Sequence, residues 1–178
     1  MVDRCRSDKR GGSGAVPLAP DYVTEALSRF SAECICIESV TTEGRTLRGV
    51  FRAPPNAYYL VPSPHFNTVD YMLCLNQFAY LLAALTVDRQ LSEATSRWTT
   101  RDLARMRAEA RLLICSLTLE VHRPAPRRAP ISVVMELRDS FRRNGTVFFD
   151  VVFDLGTDAS GRLTAAITDE DRDASASA

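Results

Sequence analysis

Four stretches of this chain alternate between apolar and polar residues with the period of a half-buried strand. In "LLICSLTLEVH", Leu113, Cys115, Leu117, Leu119 and Val121 fall on one face. In "ISVVMELR" the shared face holds Ile131, Val133, Met135 and Leu137, and in "TVFFDVVFDL" it holds Val147, Phe149, Val151 and Phe153. "RLTAAIT", entered through "DASG", closes the series. Short links such as "RRNG" join neighbours as antiparallel hairpins. Upstream, "ECICIESV" and "RTLRGVFRA" read as two further strands with a turn at "TTEG", and "PDYVTEALSRF" as a short helix started at Pro20–Asp21.

One segment breaks the alternation. From Tyr71 to Leu85 only Asn76 and Gln77 are strongly polar, so a helix here is apolar all round and belongs inside a core. Asn67 is a good N-cap, and Asp70 three residues later completes a capping-box pattern. The preceding "PPNAYYLVPSPHF" is a connection punctuated by prolines. One long buried helix and five or six antiparallel strands make an α+β fold, in which a sheet curled around the helix buries both.

Composition narrows the function. The 178 residues include 46% hydrophobic and 25% charged, enough for one domain with a real core, expected over residues 18–168. A Gly/Ser/charge-rich leader (1–17) and a tail (169–178) are expected to be disordered. Lys and Arg balance Asp and Glu at 22 each, which gives no general reason to propose nucleic acid or an anionic membrane as partner. No secretory h-region and no apolar run of membrane-spanning length is apparent, so a cytoplasmic protein is expected. The five cysteines form no CxxC pair and lack histidines at zinc-ligand spacing; reduced thiols are expected, with neither metal nor cofactor.

Few residues are left to carry chemistry. There is no G-x-S-x-G elbow, and two histidines give a catalytic triad few ways to form; Ser63, near His65, is flanked by prolines. "RGGSG" has no strand before it and does not read as a phosphate loop. His65 lies two residues before the helix cap, where the unpaired amides and the macrodipole favour a neutral, base-competent imidazole; it equally fits a loop residue that only pads the entry. Asn67 and Asn76 are nine residues apart, roughly half a turn out of phase on an ideal helix, so one acts at the mouth and the other from within the rod. A buried Asn76 needs partners, whether Tyr59, a strand backbone or a ligand. The arginines of "RTLRGVFR", "RDLARMRAEAR" and "HRPAPRR" read as solvated faces or as a landing surface for phosphates or an acidic carrier.

"HFNTVDYMLCLNQFAYLL" resembles the FcoT-like hotdog family of acyl-thioester enzymes, whose members carry H-F-N and then a central helix with N-Q-x-A-Y. Gly49, Phe51 and Pro54 fall in register with that family, Tyr59 stands eight residues before the first asparagine, and "WTTRDLARMR" matches its W-T-x-x-D segment. The resemblance spans roughly residues 45 to 125. It implies the hotdog fold, a homodimer or higher oligomer, and acyl chains held in a tunnel at the subunit interface. Some members are described as long-chain acyl-CoA thioesterases; others add glycine across a 2-enoyl thioester of acyl carrier protein, giving a 3-(carboxymethylamino)acyl thioester that some then hydrolyse. The expectation is glycine addition with hydrolysis as a second activity, on a thioester of acyl carrier protein or CoA. A plain thioesterase and a non-catalytic acyl-binding module are the alternatives. His65 is expected as the base, Asn67 and Thr68 as the oxyanion end, Asn76 as the positioning amide beside Tyr59, and Arg48 or Arg52 as the cation for the glycine carboxylate.

Overall fold

A computed structural model describes residues 14–53, 63–109 and 111–168. Tyr59, most of the leader and the tail lie outside the described residues. The elements run β1 (Val16–Pro17), α1 (Pro20–Ala26), β2 (Ile37–Glu43), β3 (Thr46–Phe51), α2 (Thr68–Asp88), α3 (Thr100–Ala108), β4 (Leu112–Val121), β5 (Ile131–Arg143), β6 (Thr146–Asp154) and β7 (Ala159–Thr168). Every strand pair is antiparallel, in one seven-stranded sheet ordered β1-β2-β3-β5-β6-β7-β4. This sheet wrapped on α2 is the hotdog arrangement.

The core follows the period-2 pattern. Leu47 and Phe51 of β3, the odd-numbered residues 131–137 of β5, the odd-numbered residues 147–153 of β6, and Leu163, Ala165 and Ile167 of β7 are all at most 3% exposed. They close over α2, buried from Cys74 to Val87 except at Asn76. By length and composition α2 could cross a membrane, yet 72% of its most apolar window is covered inside the fold. Phe51 meets both Phe66 and Phe78 edge-on, so the segment leading into α2 and the middle of α2 pack on one strand.

Hairpin chemistry sets two turns. Asn144 and Gly145, both at positive φ, link β5 to β6 as Asn-Gly does in a two-residue turn. The β2–β3 turn lies one residue beyond the reading above: Thr41 to Glu43 stay in the strand, and Gly44 (φ 56°) turns with Arg45. Β2 itself starts late. Ala32–Cys34 is a 3-10 turn, and Ile35 and Cys36 precede the strand. Likewise Ala159 to Gly161, expected as a link, already belong to β7.

The face expected for β4 is corrected. The register against β7 slips between Ile114 and Ser116, leaving Cys115 as an extra residue. Past that bulge Leu117 and Leu119 stand opposite Leu163 and Gly161, on the core side with Ile114. Leu113 pairs with Ala166 on the outer side and is 55% exposed. A one-residue bulge inverts facing, so the five residues do not share a face.

Candidate functional site at the start of the central helix

The entry of α2 is built by reciprocal capping. Asn67 has extended backbone, and its Oδ1 accepts from the amides of Val69 (2.8 Å) and Asp70 (3.1 Å). The Asn67 amide donates back to Asp70 Oδ2 at 3.3 Å. Two first-turn donors are consumed this way. The Thr68 N–H and the Asn67 Nδ2 group have no hydrogen-bond partner among the described residues. These two donors sit at the positive end of a 21-residue helix.

A second loop holds the entry in place. Phe66 N donates to Ala125 O (2.9 Å), Arg127 N to Pro64 O (2.9 Å), and His65 forms an isolated antiparallel bridge with Pro126. Beneath it, Arg127 Nη1 donates to Asp70 Oδ2 at 2.6 Å, with side-chain exposures of 9% and 0%. Arg127 belongs to "HRPAPRR", read above as solvated or as a landing surface. The fold instead buries it, because Asp70 at the third position of α2 points inward and needs a cation. Arg107 is also buried, bonding the carbonyl of Glu25. Around this pair, the Cys74 thiol is pushed well up by its bond with Cys36 and by burial, and the Tyr71 hydroxyl is raised by burial and next by Asp158.

His65 is exposed, and its ring has no partner among the described residues. Ser63 spends its hydroxyl on the His65 backbone, donating to the carbonyl (2.9 Å) and accepting from the amide (3.2 Å). A Ser–His pair is not formed.

Asn76 and Gln77 separate cleanly. Gln77 is the satisfied core amide: its Oε1 accepts from Cys36 N (3.0 Å), and its Nε2 donates to Cys34 O (2.8 Å). Asn76 is only half-buried and its side chain has no hydrogen bond among the described residues. It ends a stripe at helical spacing with Val69, Met72 and Leu73, of which Val69 and Met72 are 46% and 45% exposed. The mouth and Asn76 are thus joined by an uncovered apolar strip about 12 Å long.

The two arginines expected for the carboxylate are placed differently: Arg48 lies on the outer face of the sheet, while Arg52 reaches the loop that bridges His65. Arg48 pairs across β3 with Thr41 and Val134 on the side opposite the buried Leu47, and is exposed. Arg52 is half-exposed, bonds Glu38 at 2.6 Å and also donates to the Arg128 carbonyl. Sequence reasoning overlooked Arg127; the only signal was a helix-start aspartate facing inward without a cation nearby in the chain. No group of three metal-ligating side chains gathers among the described residues.

The family model described as FcoT-like thioesterase domain matches residues 22–167. Over 124 residues the chain is 27% identical to a (2E)-enoyl-[ACP] glycyltransferase of Streptomyces coeruleorubidus, covering 68% of this chain and 74% of that protein. The fold is similar to that of a mutant thioesterase from Pseudomonas aeruginosa (TM-score 0.51, 13% identity, 85% of this chain and 96% of that one). It is also similar to Cj0977, a virulence protein of Campylobacter jejuni (TM-score 0.50, 7% identity, 85% and 94%). At such identities the likeness is one of fold.

Proposed function

The chain belongs to the FcoT-like thioesterase family and is a hotdog enzyme of acyl thioesters; from this we propose that it adds glycine to the β-carbon of a 2-enoyl thioester, with thioester hydrolysis as a second activity. The observation that supports this reading is the pair of unspent donors, Thr68 N–H and Asn67 Nδ2, at the positive end of α2, above a strip that ends at unpartnered Asn76.

Both reactions put negative charge on the same atom. The glycine amine attacks the β-carbon, the C=C electron pair moves toward the carbonyl, and an enolate forms on the thioester oxygen. Protonation of the α-carbon and loss of a proton from nitrogen give the 3-(carboxymethylamino)acyl thioester. Water attacking the carbonyl carbon instead gives a tetrahedral oxyanion on that oxygen, and expulsion of the thiolate releases the acid. Thr68 N–H and Asn67 Nδ2 bond the anion in either case. Asn76 holds the thioester or a water from further along the strip. His65 takes the proton from the glycine ammonium or the water. Tyr59 joins the site on the family resemblance.

The carboxylate of glycine calls for a guanidinium. Arg52 can serve by exchanging Glu38 for the substrate, since an exposed pair is worth little. Arg48, on the outer face, has no part in this reading. Hydrolysis needs no such cation. The uncovered strip of Val69 and Met72 is completed by a second copy of the chain, and the acyl group, carried by acyl carrier protein or CoA, lies between the two.

Incubation with a medium-chain 2-enoyl thioester, with and without glycine, tests this by product mass. A glycine-dependent adduct is expected. Free acid alone, unaffected by glycine, reduces the reading to hydrolysis; no turnover of either carrier form overturns both.

A further inference from the structure

We propose that Arg127 is a positioning residue of the thioester site, which cancels the charge of Asp70 so that the start of α2 keeps its positive potential toward the thioester oxygen. This rests on the assignment of that oxygen to the α2 entry.

Asp70 performs two tasks that conflict. Its carboxylate is needed to cap the Asn67 amide, which orients the cap and with it the Thr68 N–H. Yet a full negative charge one turn into the helix opposes an anion forming at that end, and at 0% exposure no water screens it. Arg127 resolves the conflict at 2.6 Å without displacing the cap, since both Arg127 and Asn67 N bond the same oxygen. Its backbone also holds Pro64, so the compensating charge and the loop carrying His65 move together.

The surroundings leave this task to Arg127. Cys74 and Tyr71 lie next to Asp70, with Cys36 bonded to Cys74 and Asp158 acting on Tyr71. Both neighbours have raised pKa values and stay neutral in the working range, and Asp158, the other carboxylate acting there, is paired with Arg123 at 2.6 Å. Without Arg127, the buried carboxylate of Asp70 loses the cation bonded to it, and its charge opposes the forming anion directly.

The test compares wild type, Arg127→Met, Arg127→Lys and the neutral pair Arg127→Met with Asp70→Asn. Turnover of an acyl-CoA is followed together with amide hydrogen exchange over residues 63–70. In Arg127→Met, kcat is expected to fall by about tenfold to a hundredfold with little change in KM. Exchange over 63–70 speeds up in step. Arg127→Lys restores part of kcat, and the neutral pair, with the opposing charge removed, also recovers part of it. A folded Arg127→Met protein with wild-type exchange, or a neutral pair no more active than Arg127→Met, overturns the inference. If wild type turns over no thioester, the proposed function falls. Exchange then decides the positioning role alone: a loss of protection in Arg127→Met, relieved in the neutral pair, upholds it, and its absence overturns it.

Discussion

Gln77 in the middle of α2 bonds both the carbonyl of Cys34 and the amide of Cys36, doing for the chain entering β2 what a neighbouring strand would do. Replacing it with leucine keeps the volume but leaves two backbone groups without partners. Gln77→Leu is expected to destabilise the fold by about 2 kcal/mol, read from the urea midpoint at constant m. A midpoint equal to wild type would show that water replaces the amide at no cost.

Gly49 faces α2 from β3 at a distance no side chain tolerates. A Cβ there would lie 2.5 Å from the Ser39 carbonyl oxygen and 2.8 Å from the Phe78 ring. Gly49→Ala is expected to cost about 1–3 kcal/mol. Adding Phe78→Leu recovers only part of this, because the carbonyl contact remains; thermal unfolding of both variants checks the order.

The two asparagines should respond differently to the same substitution. Asn67→Ala removes the cap and costs about 1 kcal/mol of stability together with activity. Asn76→Ala breaks no bond among the described residues, so its stability stays within about 0.5 kcal/mol of wild type while kcat drops by about tenfold or more. Parallel urea curves and rates distinguish them. Loss of stability without loss of rate in Asn76→Ala would remove it from the site.

Alkaline pH should act through Tyr22. Its hydroxyl is pushed up to about 12 by burial first and by Asp88 second, beside a cavity of about 210 Å³ that Arg107 also lines. A group whose neutral form is favoured in the fold contributes stability that is intact below its unfolded pKa, near 10. That stability is lost as pH rises from about 10 toward 12. Tyr22→Phe is expected to lessen the alkaline decline over this window while leaving neutral stability nearly unchanged; an identical decline would assign the transition elsewhere.

Much of the fold was legible because strands repeat every second residue and the alternation in β5 and β6 is unbroken. The start of α2 was legible through Asn67 and Asp70, whose capping box is local. What failed was anything set by distant partners. Asn76 and Gln77 are adjacent on a rod with no polar face, so only the sheet decides that Gln77 turns inward and Asn76 does not. Arg127 meets Asp70 across 57 residues, a pairing that charge patterning along the chain does not display. The bulge at Cys115 is silent for a different reason: "LLICSLTLEV" alternates formally whether or not a residue is extra.

The strand order carries a consequence for how the molecule assembles. Β4 precedes β5 and β6 in the chain but pairs with β7 alone, the last strand of the described fold. During synthesis α2 and β4 emerge well before the strands that cover them, and β4 has no partner until residues 159–168 leave the ribosome. Closure of the sheet is thus a late, long-range event, which favours slow folding and exposes an apolar helix to aggregation or chaperones in the interval.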